Sequence, residues 1–300
     1  ENVYRPRVAL IIPCKGLDSH FHSNIQSFIE QDYENHRLFF VVEAESDPAF
    51  QELIALRGRF GPGSHALDIQ ILVAGHSQAS SQKIFNLLYG YQQVPDDTEV
   101  LAFADSDVCA QRDWLSRLVR PLRRAKCGAA TGYRWFIPIH NNSATLALSA
   151  INGAVAQSLG NTPLNQAWGG SMAIRTEDFR QLRICEIWSN TLSDDLSLSQ
   201  AVKQAGMKVI FVPECLVASF ESMTWARLLE FGRRQFLITR VYAPWTWWLG
   251  LLSSLGSVAG LWGTAAAAVH TASIHGGHIL LVTAIPCLFL AGQLDRKSVV

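Results

Sequence analysis

Four short apolar runs, spaced by helix-forming sequence, constrain this chain more than any other feature. They lie at residues 8–12, 38–42, 69–73 and 100–104, and Gln70 is the one polar residue among them. Runs this short are not helices, and continuous rather than alternating apolar character marks strands buried on both faces. The stretches at 24–31, 48–56 and 80–91 read as helices between them. Strands alternating with helices predict an α/β layer fold around a mostly parallel sheet. In such sheets ligands bind beyond the carboxyl ends of the strands. Glu43 follows the second run directly, and Asp105 follows the fourth.

The second half is less regular. Residues 129–137 read as a strand pair or one extended segment, and 145–159 as a helix rich in small residues. A glycine-led turn enters a strand at 168–174, a helix follows at 194–205, and a strand at 209–212. Charge then stops. Charged residues make up 17% of the 300-residue chain, and none falls between Arg240 and Asp295. Residues 245–269 form an uncharged stretch of about 25 residues, long enough to cross a bilayer. Trp245, Trp247 and Trp248 cluster at its start, as interfacial aromatics do. A polar break at 270–278 precedes a second apolar stretch, 279–290, which is a marginal crossing. Arg233, Arg234 and Arg240 stand before the first span, and Arg296 and Lys297 after the second. A hairpin with both ends on the cytoplasmic side satisfies the positive-inside rule. The expected organisation is a catalytic domain over 1–240 and a membrane hairpin over 241–300, making an integral membrane protein. A pair of buried core helices is the alternative.

Several classes drop out. Formal net charge is zero, and no basic stripe marks a nucleic-acid binder. The six cysteines form no CxxC pair, so they read as small apolar residues in a reducing compartment rather than a zinc site. The histidines have no metal-ligand spacing. Arg5-Pro6-Arg7 leads straight into the first strand with no signal-peptide pattern, and the opening at Glu1 reads as the start of a fragment.

The chemistry gathers on acids. Asp105-Ser106-Asp107 follows a buried strand, where two carboxylates one residue apart face one cleft if the chain turns. Hard oxygen ligands of this kind suit Mg²⁺ or Mn²⁺, which in turn bind a diphosphate. Glu43, Glu45 and Asp47 form an acidic cluster after the second strand. Asp194 and Asp195 open a helix; one acid of such a pair can cap it while the other faces the cleft. Gly169 and Gly170 allow close approach of a substrate to the backbone, and Trp168 and Trp135 are candidates to line an acceptor groove.

In order along the chain, Pro13-Cys14-Lys15-Gly16, Gln31-Asp32-Tyr33, the acids at 43–47 and Asp105-Ser106-Asp107 resemble a family 2 type inverting glycosyltransferase of the GT-A fold. Asp47-Pro48, Gln82-Lys83-Ile84, Asn86-Leu87, Gly169-Gly170-Ser171-Met172 and Asp194-Asp195 are similar to the ceramide glucosyltransferase-like branch, family 21. The resemblance implies a UDP-sugar donor and a lipid acceptor at the cytoplasmic face. It puts Glu43 or Asp47 at the first acidic site, Asp105 at the ribose or diphosphate and Asp107 on the metal. Lys83 would contact the uridine diphosphate, and Asp195 would be the general base. The family's basic-aromatic motif is altered. Arg234 matches its first basic residue, but Leu237-Ile238 stand where Arg-Trp is expected. That departure keeps two rivals open: a processive polysaccharide synthase-like transferase, and a catalytically degenerate nucleotide-sugar-binding membrane protein.

Overall fold

The computed structural model describes residues 4–58, 66–78 and 80–275. Strands β1 (Val8–Pro13), β2 (His36–Val42), β3 (Asp68–Val73) and β4 (Val100–Ala104) are the four apolar runs. They pair in parallel in the order β3-β2-β1-β4. Helices α1 (Phe21–Ile29), α2 (Pro48–Arg57) and α3 (Gln82–Gln92) make the crossovers. Successive side chains on a strand point to opposite faces, and here both faces are cores. Leu10, Ile12, Leu38, Phe40, Ala102 and Ala104 pack into one. Ile11, Phe39, Val41, Leu101 and Phe103 pack into the other. This two-sided burial is why the runs carry no polar alternation.

Register sets Pro13 beside Val41 and Ile11 beside Phe103. The chain therefore leaves β1, β2 and β4 along one edge of the sheet, with the expected site residues immediately beyond.

The second half keeps the mostly parallel sheet except at one strand, β6. After α4 (Trp114–Val119) and a short 3₁₀ turn come β5 (Cys127–Pro138), α5 (Ser143–Ser158), β6 (Ser171–Arg175), α6 (Thr176–Gln181), α7 (Ile184–Ser189), α8 (Asp194–Gln204) and β7 (Lys208–Glu221). The seven strands form one mixed sheet, β3-β2-β1-β4-β6-β5-β7, in which β6 runs antiparallel to both neighbours. Residues 129–137 are one strand rather than a pair, and β7 runs on to Glu221 beside it. The reversal of β6 matters for the site. Ala104 faces Ser171, so Gly169 and Gly170, which precede β6, reach the edge where Asp105 leaves β4.

Helix α9 (Trp225–Tyr242), unmarked in the sequence reading, is followed by α10 (Pro244–His275). The chain divides into two compact units, Glu1–Phe231 and Gly232–Val300. Within the second, Pro244–Ala267 is long and apolar enough to cross a membrane. Trp247 and Trp248 meet edge to face at 4.9 Å, and the Arg240 guanidinium lies 5.4 Å from the Trp247 ring centre. The helix does not break at His270 but continues to His275. The second expected crossing, 279–290, lies outside the described residues. Among the described cysteines, Cys14, Cys127 and Cys215 are buried, whereas Cys109 is exposed and Cys185 half-buried.

Candidate active site

The loop after β1 is tied down first. Asp47 caps α2, where its Oδ1 accepts the Ala49 N–H at 2.9 Å. The same oxygen accepts the Gly16 N–H at 2.8 Å. One carboxylate thus fastens two loops of the sheet edge together. Beside it, the Glu43 carboxylate lies 2.6 Å from His76 Nδ1 and 3.9 Å from Lys15 Nζ. His76 was not foreseen at this point, being an exposed loop residue without a motif, and Lys15 lies in the Pro13-Cys14-Lys15-Gly16 motif without having been assigned this contact.

Further along the edge, Lys83 reaches out from α3. Its ammonium is 2.8 Å from Asp105 Oδ1 and 3.2 Å from Asp194 Oδ2. Burial works against a charged lysine, but Asp105, Asp194 and Asp195 together outweigh it and raise its pKa. Asp194 is buried, and its carboxyl is pushed up by burial and by Asp195 and Asp105, against the pull of Lys83. Asp107 is also raised, by burial first and by Asp105, while Arg134 and Lys83 oppose the shift.

Helix α8 is capped by Ser193, whose Oγ accepts the Leu196 N–H, and not by Asp194. Both acids are therefore available to the site. Asp195 Oδ1 accepts the Leu196 N–H at 2.7 Å and the Ser193 hydroxyl at 2.5 Å. Its Oδ2 accepts the Gly169 N–H at 3.2 Å. Asp195 is held in one orientation by its own helix terminus and by the glycine turn.

That turn accepts no side chain. A Cβ on Gly169 would stand 2.5 Å from Asp194 Oδ2 and 2.8 Å from Lys83 Nζ. On Gly170 it would stand 2.2 Å from the Trp168 ring. Gly169→Ala is expected to push Asp194 and Lys83 apart. The resulting loss is about 10²-fold in kcat/KM, the scale of a misplaced positioning group. Steady-state kinetics on a folded variant checks this; unchanged kcat/KM would show that the close approach is immaterial.

The Trp168 backbone N–H donates to Thr131 Oγ1 at 2.9 Å, and its ring meets the Tyr133 ring at 6.0 Å. Arg134 lies over the same indole, with its guanidinium carbon 5.6 Å from the ring centre. Trp135 faces the other way, against Gly153 of α5. Arg134 was missed in the sequence, although an arginine among aromatics in a strand was a usable signal. Arg234 stands on α9 in the second unit, whereas the acids and Lys83 belong to the first.

The Lys83–Asp194 pair makes a stability prediction. Removing one partner of a fully buried pair costs about 3–5 kcal/mol, because the other charge stays buried. Lys83 is 34% exposed, so the penalty falls below that range. Lys83→Met is expected to lower the melting temperature, and adding Asp194→Asn should restore much of the loss. A double variant no more stable than Lys83→Met would refute the pairing as the cause.

Among the described residues no three carboxylate, cysteine or histidine side chains cluster closely enough to cage a metal. Asp105, paired with Lys83, and Asp107, on which Asp105, Arg134 and Lys83 act electrostatically, offer two oxygen donors. That set fits Mg²⁺ or Mn²⁺ shared between one or two carboxylates and substrate phosphates.

The family described as glycosyl transferase family 21 matches residues 1–297. Among solved structures, a mannosyltransferase from Pyrobaculum calidifontis in complex with GDP-Man and Mn²⁺ is similar at 19% identity and TM-score 0.56, covering 98% of this chain and 83% of that one. Glucosyl-3-phosphoglycerate synthase from Mycobacterium tuberculosis, in complex with Mn²⁺, UDP and phosphoglyceric acid, is similar at 14% identity and TM-score 0.51, covering 79% of this chain and 78% of that one. Both share the α/β fold with its mixed sheet, the GT-A arrangement.

Proposed function

The chain belongs to glycosyl transferase family 21, and from that premise we propose that it transfers a hexose, glucose first, from a UDP-sugar to a hydroxyl of a ceramide-like membrane lipid with inversion. One observation carries the reading. Asp105, Asp107, Lys83, Asp194 and Asp195 converge on one sheet edge from β4, α3 and α8. A donor site and a base for the acceptor would thus stand side by side.

In this reading Glu43 and Asp47 border the nucleoside, and Asp105 and Lys83 flank the ribose and diphosphate. Asp107, with Asp105, holds Mg²⁺ or Mn²⁺, which neutralises the diphosphate when bound. Asp195 Oδ2 takes the proton from the acceptor hydroxyl as that oxygen bonds to the anomeric carbon. The bond from that carbon to the diphosphate oxygen breaks, and UDP leaves with the electron pair. Trp168, Gly169 and Gly170 would form the acceptor wall beside Asp195. Donor and acceptor held in line supply the proximity that such a transfer requires. The span-capable α10, with Arg233, Arg234 and Arg240 ahead of it, supports a membrane protein whose catalytic unit faces the cytoplasm, where a lipid hydroxyl is within reach.

The test uses the full chain in detergent with UDP-glucose, other UDP-sugars and GDP-mannose, each against ceramide, diacylglycerol and a polyprenyl phosphate. Mg²⁺, Mn²⁺ and a chelator are the metal arms. UDP release with a ceramide-like acceptor and a divalent ion is expected. Release from GDP-mannose alone would overturn the donor, and no release from any pair by a folded preparation would sink the reading.

A further inference from the structure

Arg134 is the cation in this site that no motif explains. It lies on β5, with its guanidinium carbon 4.6 Å from the Phe136 ring centre and 5.6 Å from that of Trp168. Among the described residues its guanidinium has no ion-pair or hydrogen-bond partner. A guanidinium resting on aromatic faces is oriented and partly stripped of water, with its planar fork of donors unspent. Such a group is prepared for an anion with paired oxygens, and phosphate is the best geometric match.

Its surroundings say which phosphate. Trp168, on which it rests, is followed by Gly169, whose N–H binds Asp195 and on which an added Cβ would collide with Asp194 and Lys83. The Arg134 charge also acts on Asp107. Arg134 therefore borders the same acids that, in the function proposed above, receive the donor. The sequence lacks Arg-Trp at Leu237-Ile238. In space, an arginine laid on a tryptophan stands at the site all the same, drawn from β5 and from the turn before β6.

We propose that Arg134, held on Trp168, binds the diphosphate of the nucleotide-sugar donor and stabilises it as it departs. The interaction strengthens as charge gathers on the leaving oxygens. Its loss should therefore act on both UDP affinity and turnover.

The variant Arg134→Met keeps an apolar chain between the rings and removes every donor. With Mn²⁺ present, its UDP affinity, measured by calorimetry, is expected to fall about tenfold or more, the scale of one charge-assisted hydrogen bond. Its kcat/KM for the donor should fall by about 10²–10³-fold, as when one transition-state donor is removed. Arg134→Lys keeps the charge without the fork and should lie between. UDP affinity and turnover equal to wild type in a folded Arg134→Met would overturn the proposal. If Arg134→Met does not fold, Arg134→Lys decides, and equality with wild type again overturns it. Loss of affinity for a phosphate-bearing acceptor with UDP binding intact would also overturn it. Wild-type protein that binds no UDP fails the function itself; wild-type protein that binds and turns over while Arg134→Met matches it fails this inference alone.

Discussion

Replacing Asp195 with asparagine is expected to lower kcat by about 10²–10⁴-fold, the usual worth of a general base, while UDP affinity stays near wild type. Asparagine has the right shape but cannot take a proton. Nor can it accept from two sides as the carboxylate does, at Leu196 and Ser193 through one oxygen and at Gly169 through the other. A modest stability loss, about 1–3 kcal/mol for one buried donor left unpaired, should accompany the change. Melting temperature and UDP calorimetry therefore belong beside the kinetics. Asp194→Asn provides the contrast. It breaks the pair with Lys83 and is expected to raise the donor KM more than it lowers kcat. Wild-type turnover in Asp195→Asn would remove Asp195 from the base role.

Chelating divalent metal is expected to abolish turnover, and Asp107→Asn should weaken Mn²⁺ binding beyond the roughly 10–100-fold that losing a supporting outer residue costs. The pH dependence follows from the raised Asp107 carboxyl, lifted by burial and by Asp105. A metal binds the carboxylate form. A raised pKa means that protons compete at a higher pH than for an ordinary aspartate, whose value is about 3.9. Mn²⁺ affinity should therefore decline as pH falls, beginning above the ordinary carboxylate range. Asp107→Asn should flatten that decline. Titrations of Mn²⁺ binding across acidic pH measure both effects, and an unchanged slope in the variant would place the titrating group elsewhere.

The first half of the fold was legible because β1, β2 and β4 bury both faces, so their continuous apolar runs announce strands without ambiguity. Asp105 and Asp107 were legible for the same reason, standing where a buried strand ends. The direction of β6 was not, since a five-residue strand reads alike in either sense. Helices α4, α6 and α7 span six residues each and are too short to display a helical period. Charged residues in α9 hid its helicity behind an apparent basic collar. At the site, Asp194 looked like a cap because acids favour helix starts; Ser193, one residue earlier, took that role. The contacts of Lys83 with Asp105 and Asp194 join distant parts of the chain, and no local pattern encodes them. The contact of Arg134 with Trp168 was hidden for the same reason, since Trp168 comes to it only through the folding of β6 beside β5.

Strand β4 has one more implication, for how such a chain can change over time. Its side chains alternate strictly between two packed interiors, and Asp105 follows its last residue. The strand behaves like a reading frame. Exchanges of one apolar residue for another keep the frame and leave the acids in place. A single inserted or deleted residue would swap every side chain to the opposite interior and shift Asp105 and Asp107 out of phase together. Length variation among related sequences is therefore expected in the loops far from this edge, with the span from Val100 to Asp107 fixed in length even where its residues differ.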